Sequence, residues 1–277
     1  MELKLVKEHF CFGGWVRYYS HFSKVNNCSM NFSVYIPPQA AKSEVPVLYY
    51  LSGLTCTEEN FTIKAGAQRH ASAAGLMLVV PDTSPRNTGI ESDAPVGVGP
   101  GASFYVNATE EPWKKHYQMF DYVTEELPQV IKANFKVSEK QSIFGHSMGG
   151  HGALICALKK PEQYKSVSVF APICSASRAP FGSKALRAYL GEKPETWKEW
   201  DAVELLATAT KRLPILHDQG AEDEFLKEHM NLNLFKETCE KYKHPLTLRI
   251  HENYDHSYYF VSSFMEEHIN YHAGFLK

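Results

Sequence analysis

The sequence predicts an α/β fold with a mostly parallel central sheet, antiparallel strands at its N-terminal end and helices on both faces. Three features support this prediction. Polar and apolar residues alternate in the N-terminal segments, as in half-exposed antiparallel strands. Later apolar runs such as residues 45–51 do not alternate, which is typical of strands buried on both faces of a parallel sheet. Segments with helical spacing separate these runs, so strands and helices alternate along the chain.

Length and composition indicate one globular domain. The chain has 277 residues, of which 44% are hydrophobic and 22% charged, enough for a large core. We expect residues 1–277 to form a single domain, because α/β folds with covered sheets reach this length undivided. The 29 basic and 31 acidic residues give a net charge of −2, so no overall field favours nucleic acid or an anionic membrane. We therefore expect a small-molecule substrate and neither nucleic acid nor membrane as a partner.

The elements are predicted in chain order. Strands are expected at residues 13–25, 29–36, 45–51, 76–80, 142–146, 167–171, 214–217 and 246–250. Helices are expected at residues 64–74, 116–132, 148–158, 183–190, 201–208, 224–241 and 258–271. Gly75 should cap the first helix, and Pro128 should kink the second or begin a new turn. The helices at 183–190 and 201–208 are candidates for a small cap over the site.

One long segment is predicted to be irregular. Residues 82–112 are rich in Gly, Pro, Ser and Asn. Loops of this length in compact domains are usually functional. We therefore expect this segment to contribute to a site.

Residues 142–154 predict a strand, a sharp turn and a helix around Ser147. Gly145, Ser147 and Gly149 spell G-x-S-x-G, the nucleophile elbow, in which only glycine fits beside the serine. The following helix directs its N-terminal N–H groups toward the place where an oxyanion would form. Such a short pattern can arise by chance among 17 glycines, but the structural context that it needs is present. We interpret Ser147 as the nucleophile of an α/β-hydrolase fold.

A serine nucleophile needs a histidine base and an acid, which follow it in this fold in the order acid, then histidine. After a late strand comes an acidic turn, and its Gly-x-x-Asp makes Asp223 the preferred acid. Asp218, Glu222 and Glu224 are the alternative acids. The purely structural interpretation is that the acidic turn only caps the helix that follows it.

Two of the 13 histidines lie where the base is expected. His256 lies in the loop between the last strand and the last helix and is preferred, whereas His251 would project from the strand itself. A metal site built from His146, His151, His251 and His256 is the rival hypothesis. It lacks H-E-x-x-H spacing, so we predict no metal and no cofactor.

The second oxyanion donor in this fold comes from the loop after the third strand. Here that loop is 52–57, and Gly53 supplies its tight turn. The backbone N–H groups of Leu54 and Met148 are predicted to hold the oxyanion. Cys56 should lie near the site, where a thiol is more often a packed residue than a reactant.

The cysteines and the N-terminal segment indicate the cellular compartment of the protein. The chain contains no C-x-x-C pair, which indicates reduced thiols. Charged residues interrupt the first twenty positions, so no apolar h-region of a signal peptide is present. We expect a cytoplasmic protein.

Five segments resemble the S-formylglutathione hydrolase family, also called esterase D, of the α/β-hydrolase superfamily. They are LSGLTCTEENF (51–61), FYVNATEEPW (104–113), IFGHSMGGHGAL (143–154), DQGAED (218–223) and YDHSYYFVSSFMEEH (254–268). The resemblance spans essentially the whole chain. It implies a triad of Ser147, Asp223 and His256, oxyanion amides at Leu54 and Met148, and, at Cys56, the family's cysteine that is sensitive to thiol reagents.

The resemblance also implies an activity. Members of the family cleave S-formylglutathione to glutathione and formate through a formyl-enzyme, in formaldehyde detoxification, and commonly form homodimers. Two carboxylates on the product suggest basic groups at the mouth of the site, such as Lys64, Arg69 or Arg86. The chain departs from the family at Phe181, where the family has tryptophan, and over residues 88–101.

Three other functions are compatible with the fold. A general short-chain carboxylesterase or thioesterase would share the triad and act on short acyl esters. A mycolyl-type acyltransferase belongs to secreted proteins, and a non-catalytic module usually lacks a triad member. The first is the principal alternative.

Overall fold

One mixed sheet forms the centre of the molecule. The computed structural model describes residues 2–90 and 95–277, and nine strands of these residues form the sheet. The strands are β1 (Lys4–Cys11), β2 (Gly14–Ser23), β3 (Cys28–Ile36), β4 (Val45–Leu51), β5 (Met77–Pro81), β6 (Val137–His146), β7 (Val167–Phe170), β8 (Ile215–Gly220) and β9 (Leu246–His251). Their order is β1-β2-β3-β5-β4-β6-β7-β8-β9. Pairing is antiparallel from β1 to β5 and parallel from β5 to β9.

Helices cover both faces of this sheet. They are α1 (Glu58–Lys64), α2 (Ala67–Ala74), α3 (Met119–Asp121), α4 (Leu127–Asn134), α5 (Met148–Lys159), α6 (Pro180–Leu190), α7 (Pro194–Trp197), α8 (Ala202–Thr208), α9 (Leu232–Lys241), α10 (Tyr258–Ser263) and α11 (Met265–Leu276). In the described part of the chain, no helix has both the length and the apolar character needed to span a membrane.

Strand β4 shows why the apolar runs do not alternate. Tyr49 and Leu51 belong to the core on the α5 side of the sheet, whereas Leu48 and Tyr50 belong to the core formed with α1, α2, α10 and α11. Because successive strand residues point to opposite faces, a strand between two cores is apolar at every position. The predicted α/β-hydrolase fold, with its antiparallel N-terminal strands, is confirmed.

Three local predictions were incomplete. Strand β1 was not predicted, because its side chains are almost all exposed and leave no burial pattern in the sequence. The helix predicted at 64–74 is two helices, broken where Gly66 takes a left-handed φ of 66°. The helix predicted at 224–241 is a π-helical turn, Leu226–Met230, followed by α9, with Asn231 left-handed between them.

Other local predictions are confirmed. Gly75 caps α2 in a left-handed conformation. A π-helical segment, Tyr122–Glu126, ends where α4 begins, with Pro128 in the first turn of α4. Between residues 82 and 112 the described residues form no helix or strand. Residues 91–94 of this predicted loop lie outside the described residues.

Candidate active site

Ser147 lies in a strained turn between β6 and α5. Its backbone has φ 58° and ψ −122°, a conformation that costs a non-glycine residue free energy and occurs where function requires it. A Cβ on Gly145 would lie 2.2 Å from the carbonyl oxygen of Gly149, and a Cβ on Gly149 would lie 2.0 Å from that of Leu51. Backbone therefore occupies the space that any other side chain would need, as the elbow pattern predicts.

The structure brings the three predicted catalytic residues together. His256 Nε2 lies 2.9 Å from Ser147 Oγ, and His256 Nδ1 lies 2.7 Å from Asp223 Oδ2. Both distances are those of hydrogen bonds. The chain of contacts has the order nucleophile, base and orienting acid.

Asp223 is held in place by neighbours on two sides. Its Oδ2 accepts a hydrogen bond from Gln219 Nε2 at 2.8 Å, and its Oδ1 accepts one from the Phe225 amide at 2.8 Å. Burial raises the pKa of this carboxyl, but the hydrogen bonds and charge of His256 outweigh burial and hold the pKa below its usual value. Asp223 is thus an ionised, oriented partner for His256. The sequence analysis did not identify Gln219, which follows Asp218 in the same motif.

The alternative acids and the alternative base lie elsewhere. Asp218 is fully buried on β8, and Arg249 donates to both of its oxygens at 2.6 Å. His251 Nε2 lies 3.2 Å from the same carboxylate. Glu222 and Glu224 are exposed. Among the described residues, Asp223 is the acid that pairs with His256 Nδ1, and His256 is the histidine whose Nε2 pairs with Ser147 Oγ.

The loop after β4 lies directly against the elbow. A Cβ on Gly53 would lie 3.1 Å from Ser147 Cβ, so glycine permits this close approach. The Thr55 amide donates to the Gly101 carbonyl at 2.8 Å, which ties the loop to the long irregular segment. Backbone hydrogen bonds of the described turns and loops use neither the Leu54 amide nor the Met148 amide. Both N–H groups are therefore available to a ligand, and Met148 opens α5, where helix N–H groups lack partners.

Cys56 lines the cavity at Ser147, as predicted. Burial raises the pKa of its thiol, although Lys64 opposes the effect. Its carbonyl oxygen accepts hydrogen bonds from Thr83 at 2.5 Å and from Arg86 at 3.0 Å. Cys56 is accordingly a protonated thiol at neutral pH rather than a competing nucleophile.

A cavity of about 450 Å³ opens at Ser147. Its wall is largely apolar and includes Ile173, Phe181, Phe225, His229, Met230 and Tyr258. The Phe225 ring packs edge-on against His256, with centroids 4.9 Å apart. Such a wall excludes water from one side of the base. Phe225 and His229 were not identified from the sequence, because neither belongs to a recognisable pattern.

The long irregular segment and one of the two predicted cap helices reach this cavity. Val96, Gly97, Pro100 and Ala102 line it, which agrees with a functional loop. Helix α6 contributes Phe181, whereas α8 packs against α5 and α9 and lines none of the described cavity.

The three basic residues proposed for the mouth have different surroundings. Lys64 Nζ lies 6.0 Å from the ring centre of Tyr258, a cavity residue. Arg86 binds both oxygens of Asp82, and Arg69 lies over Phe12. Of the three, Lys64 lies beside a side chain of the cavity, Tyr258, and within the described residues it is not engaged with a carboxylate as Arg86 is with Asp82.

The four histidines of the rival metal hypothesis do not form one cluster. His146 lies against His256, with ring centroids 4.5 Å apart; burial, and then the charge of His256, lower its pKa well below the ordinary value. His151 packs near Phe104, and His251 stacks on Phe264. Within residues 2–90 and 95–277, no group of three or more His, Cys, Asp or Glu side chains could hold a metal ion.

Comparisons with known proteins agree with this geometry. The family model described as Esterase matches residues 23–271. The chain is 50% identical over 280 residues to the S-formylglutathione hydrolase of Rattus norvegicus, covering 100% of this chain and 99% of the relative.

One solved structure supports the family and a second, more distant one supports the fold. An S-formylglutathione hydrolase from Agrobacterium tumefaciens is 46% identical with a TM-score of 0.94, covering 99% of each chain. The fluorophosphonate-binding serine hydrolase F of Staphylococcus aureus, 20% identical with a TM-score of 0.76 over 94% of this chain and 98% of that one, shares the fold.

Proposed function

Because the chain belongs to the S-formylglutathione hydrolase family of serine esterases, we propose that it hydrolyses S-formylglutathione to glutathione and formate, in formaldehyde detoxification. The observation that carries this proposal is the hydrogen-bonded series Ser147, His256 and Asp223, of which Ser147 and His256 line the cavity. The wall of that cavity is apolar, and its volume of about 450 Å³ exceeds what a formyl group fills. The remaining space would hold part of the leaving thiol.

In the proposed acylation step, Ser147 Oγ attacks the thioester carbonyl carbon while His256 Nε2 accepts its proton. The amides of Leu54 and Met148 donate to the carbonyl oxygen as it becomes negative, an interaction whose loss costs an enzyme about 3 kcal/mol per donor. The C–S bond then breaks, and the sulfur takes the proton from His256. A thiol has a pKa of about 8.5, so it leaves with less need of protonation than an alkoxide.

Deacylation reverses the proton transfers. His256 removes a proton from water as the water oxygen attacks the formyl ester, and Ser147 takes that proton from His256 as the ester bond breaks. Formic acid leaves and becomes formate by releasing its remaining proton to the solvent. Asp223 stays ionised throughout and stabilises the imidazolium.

The binding of glutathione would involve charge at the mouth. Lys64 lies beside Tyr258 and is the candidate partner for a glutathione carboxylate. Lys64→Ala should raise KM for S-formylglutathione severalfold and leave p-nitrophenyl acetate unaffected. An unchanged KM for the thioester would remove Lys64 from the proposal.

The test is kcat/KM of the purified protein for S-formylglutathione beside p-nitrophenyl acetate, with Ser147→Ala as control. A preference of about a thousandfold for the thioester supports the proposal, and the variant should keep less than about a hundredth of turnover. Near-equal rates that still depend on Ser147 would favour a general short-chain carboxylesterase. Substantial turnover by Ser147→Ala would show that Ser147 is not the nucleophile.

We also infer a homodimer in the cytoplasm. In the part of the chain that the structure describes, edge strand β1 pairs on one side only. It exposes Val6 and Phe10 by 58% and 64%, and such edges tend to pair with another chain. All six cysteines are free thiols, as is usual in the cytosol. Light scattering should give twice the mass of one chain, and cell fractionation should place the protein in the cytosolic fraction.

A further inference from the structure

His229 holds an unusual position in the cavity wall. It belongs to the π-helical turn Leu226–Met230, which follows Asp223. Its ring stacks on Phe181, with centroids 4.5 Å apart and planes 19° apart. The ring of Phe225 makes a T-shaped contact with His229, with centroids 5.7 Å apart. His229 is thus held by contacts with two aromatic rings and lines the cavity.

The two ring nitrogens of His229 differ in their surroundings. Nδ1 is enclosed and has no hydrogen-bond partner, whereas Nε2 is not enclosed. A neutral imidazole carries one proton, and an enclosed N–H without an acceptor is costlier and rarer than an enclosed lone pair. The proton therefore belongs on Nε2. Burial lowers the pKa of His229, so the ring is neutral at neutral pH.

This arrangement gives an apolar wall one hydrogen-bond donor. The two side chains whose rings pack on His229, Phe181 and Phe225, carry no hydrogen-bond acceptor. As far as the described residues go, the acceptor is therefore left to water or to the substrate. A formyl group offers one oxygen, which the amides near Ser147 would already hold, so an acceptor from the substrate must lie on the leaving thiol.

We propose that His229 determines leaving-group specificity by donating from Nε2 to a carbonyl or carboxylate oxygen of a peptide-like thiol. This inference rests on the proposed function and adds a residue to it. It assigns no role to His229 in the chemical step, which belongs to His256.

Two substitutions separate the hydrogen bond from the packing. His229→Phe keeps the aromatic stack but lacks the donor, and His229→Gln keeps an N–H group near the position of Nε2. For S-formylglutathione, His229→Phe should raise KM about tenfold with kcat within about twofold, as expected for one lost hydrogen bond. His229→Gln should stay within about threefold of wild type. For p-nitrophenyl acetate, whose leaving group has no carbonyl or carboxylate oxygen, the KM values of the two variants should differ from each other by less than about twofold.

A binding measurement gives a second readout. In a Ser147→Ala background, the affinity for S-methylglutathione, measured by calorimetry, should fall about tenfold on adding His229→Phe. If both substrates lose activity in parallel, His229 acts only by packing and the proposal is overturned. It is equally overturned if His229→Phe matches wild type on S-formylglutathione. Failure of the wild-type protein to hydrolyse S-formylglutathione would instead reject the proposed function.

Discussion

Gln219 Nε2 donates to Asp223 Oδ2 at 2.8 Å, the same carboxylate oxygen that lies 2.7 Å from His256 Nδ1. The same amide nitrogen lies 3.1 Å from the carbonyl oxygen of Gly220. Both neighbours are acceptors, so the hydrogen-bond network fixes which end of the amide is nitrogen. Gln219 is fully buried and orients the acid that orients the base.

Replacing Gln219 should reduce turnover without loss of substrate binding. Gln219→Met removes the donor and keeps the volume, so Asp223 can rotate away from His256. We expect kcat to fall about tenfold, which corresponds to about 1.4 kcal/mol, with KM within twofold. Steady-state kinetics measure both constants. A variant with the kcat of wild type would show that Asp223 is held without Gln219.

Gly53 should be required for turnover rather than for folding. In Gly53→Ala, the new Cβ would lie 3.1 Å from Ser147 Cβ and 3.4 Å from the His146 carbonyl oxygen, so Ser147 must shift by a few tenths of an ångström. We expect kcat to fall about tenfold, because misplacement of a reacting group costs rate steeply. Gly274→Ala is the matched control, since nothing lies within 4 Å of its Cβ, and it should keep full activity. Equal kcat in the two variants would contradict this account.

Loss of the Asp218 carboxylate should lower stability, whereas loss of the Asp223 carboxylate should lower turnover. Asp218→Asn breaks the buried pair with Arg249 and should lower the free energy of unfolding by about 3 kcal/mol, with kcat within about threefold. Asp223→Asn should lower kcat by about 10³-fold or more, with little change in stability. Urea unfolding and kinetics on both variants test the assignment. Loss of turnover in Asp218→Asn at a temperature where it is folded would reopen the choice of acid.

His217 should make the fold sensitive to acid. It is fully buried on β8, neither ring nitrogen has a hydrogen-bond partner, and burial lowers its pKa to about 4. The unfolded chain, with a histidine pKa of about 6.5, binds this proton first as pH falls, so stability declines from about pH 6.5 downward. From pH 7.5 to 5.5 this residue alone should cost about 1.4 kcal/mol.

The variant His217→Leu should remove that part of the pH dependence. It should also raise the free energy of unfolding at pH 7.5 by about 1 kcal/mol, because the enclosed polar atoms are gone. Urea unfolding of both proteins at the two pH values measures the difference. An identical loss of stability on acidification would assign the effect to other buried histidines, such as His268 and His272.

Short-range sequence patterns predicted the elbow, the buried strands and the two loops that carry the acid and the base. Gly145 and Gly149 specify the elbow at Ser147, since a Cβ on the first would meet the backbone of Gly149 and a Cβ on the second that of Leu51 in β4. The sequence pattern that records both constraints spans only five residues. The unalternating run of β4 specifies a strand between two cores. Chain order then restricted the acid and the base to two loops, and motif spacing favoured Asp223 and His256.

Tertiary structure decided what depends on residues distant in sequence. Strand β1 has little buried surface and is held by pairing with β2. Its sequence therefore shows no alternation of polar and apolar residues that would predict a strand. Phe181 and His229 meet only because α6 and the π-helical turn pack together. Asp223 is the acidic side chain that lies against His256, whereas Asp218 pairs with Arg249 within the sheet and Glu222 and Glu224 are exposed. The sequence by itself determined the elbow and the fold because these rest on local sterics and burial, whereas the cavity wall and the support of Asp223 rest on contacts that only the folded chain creates.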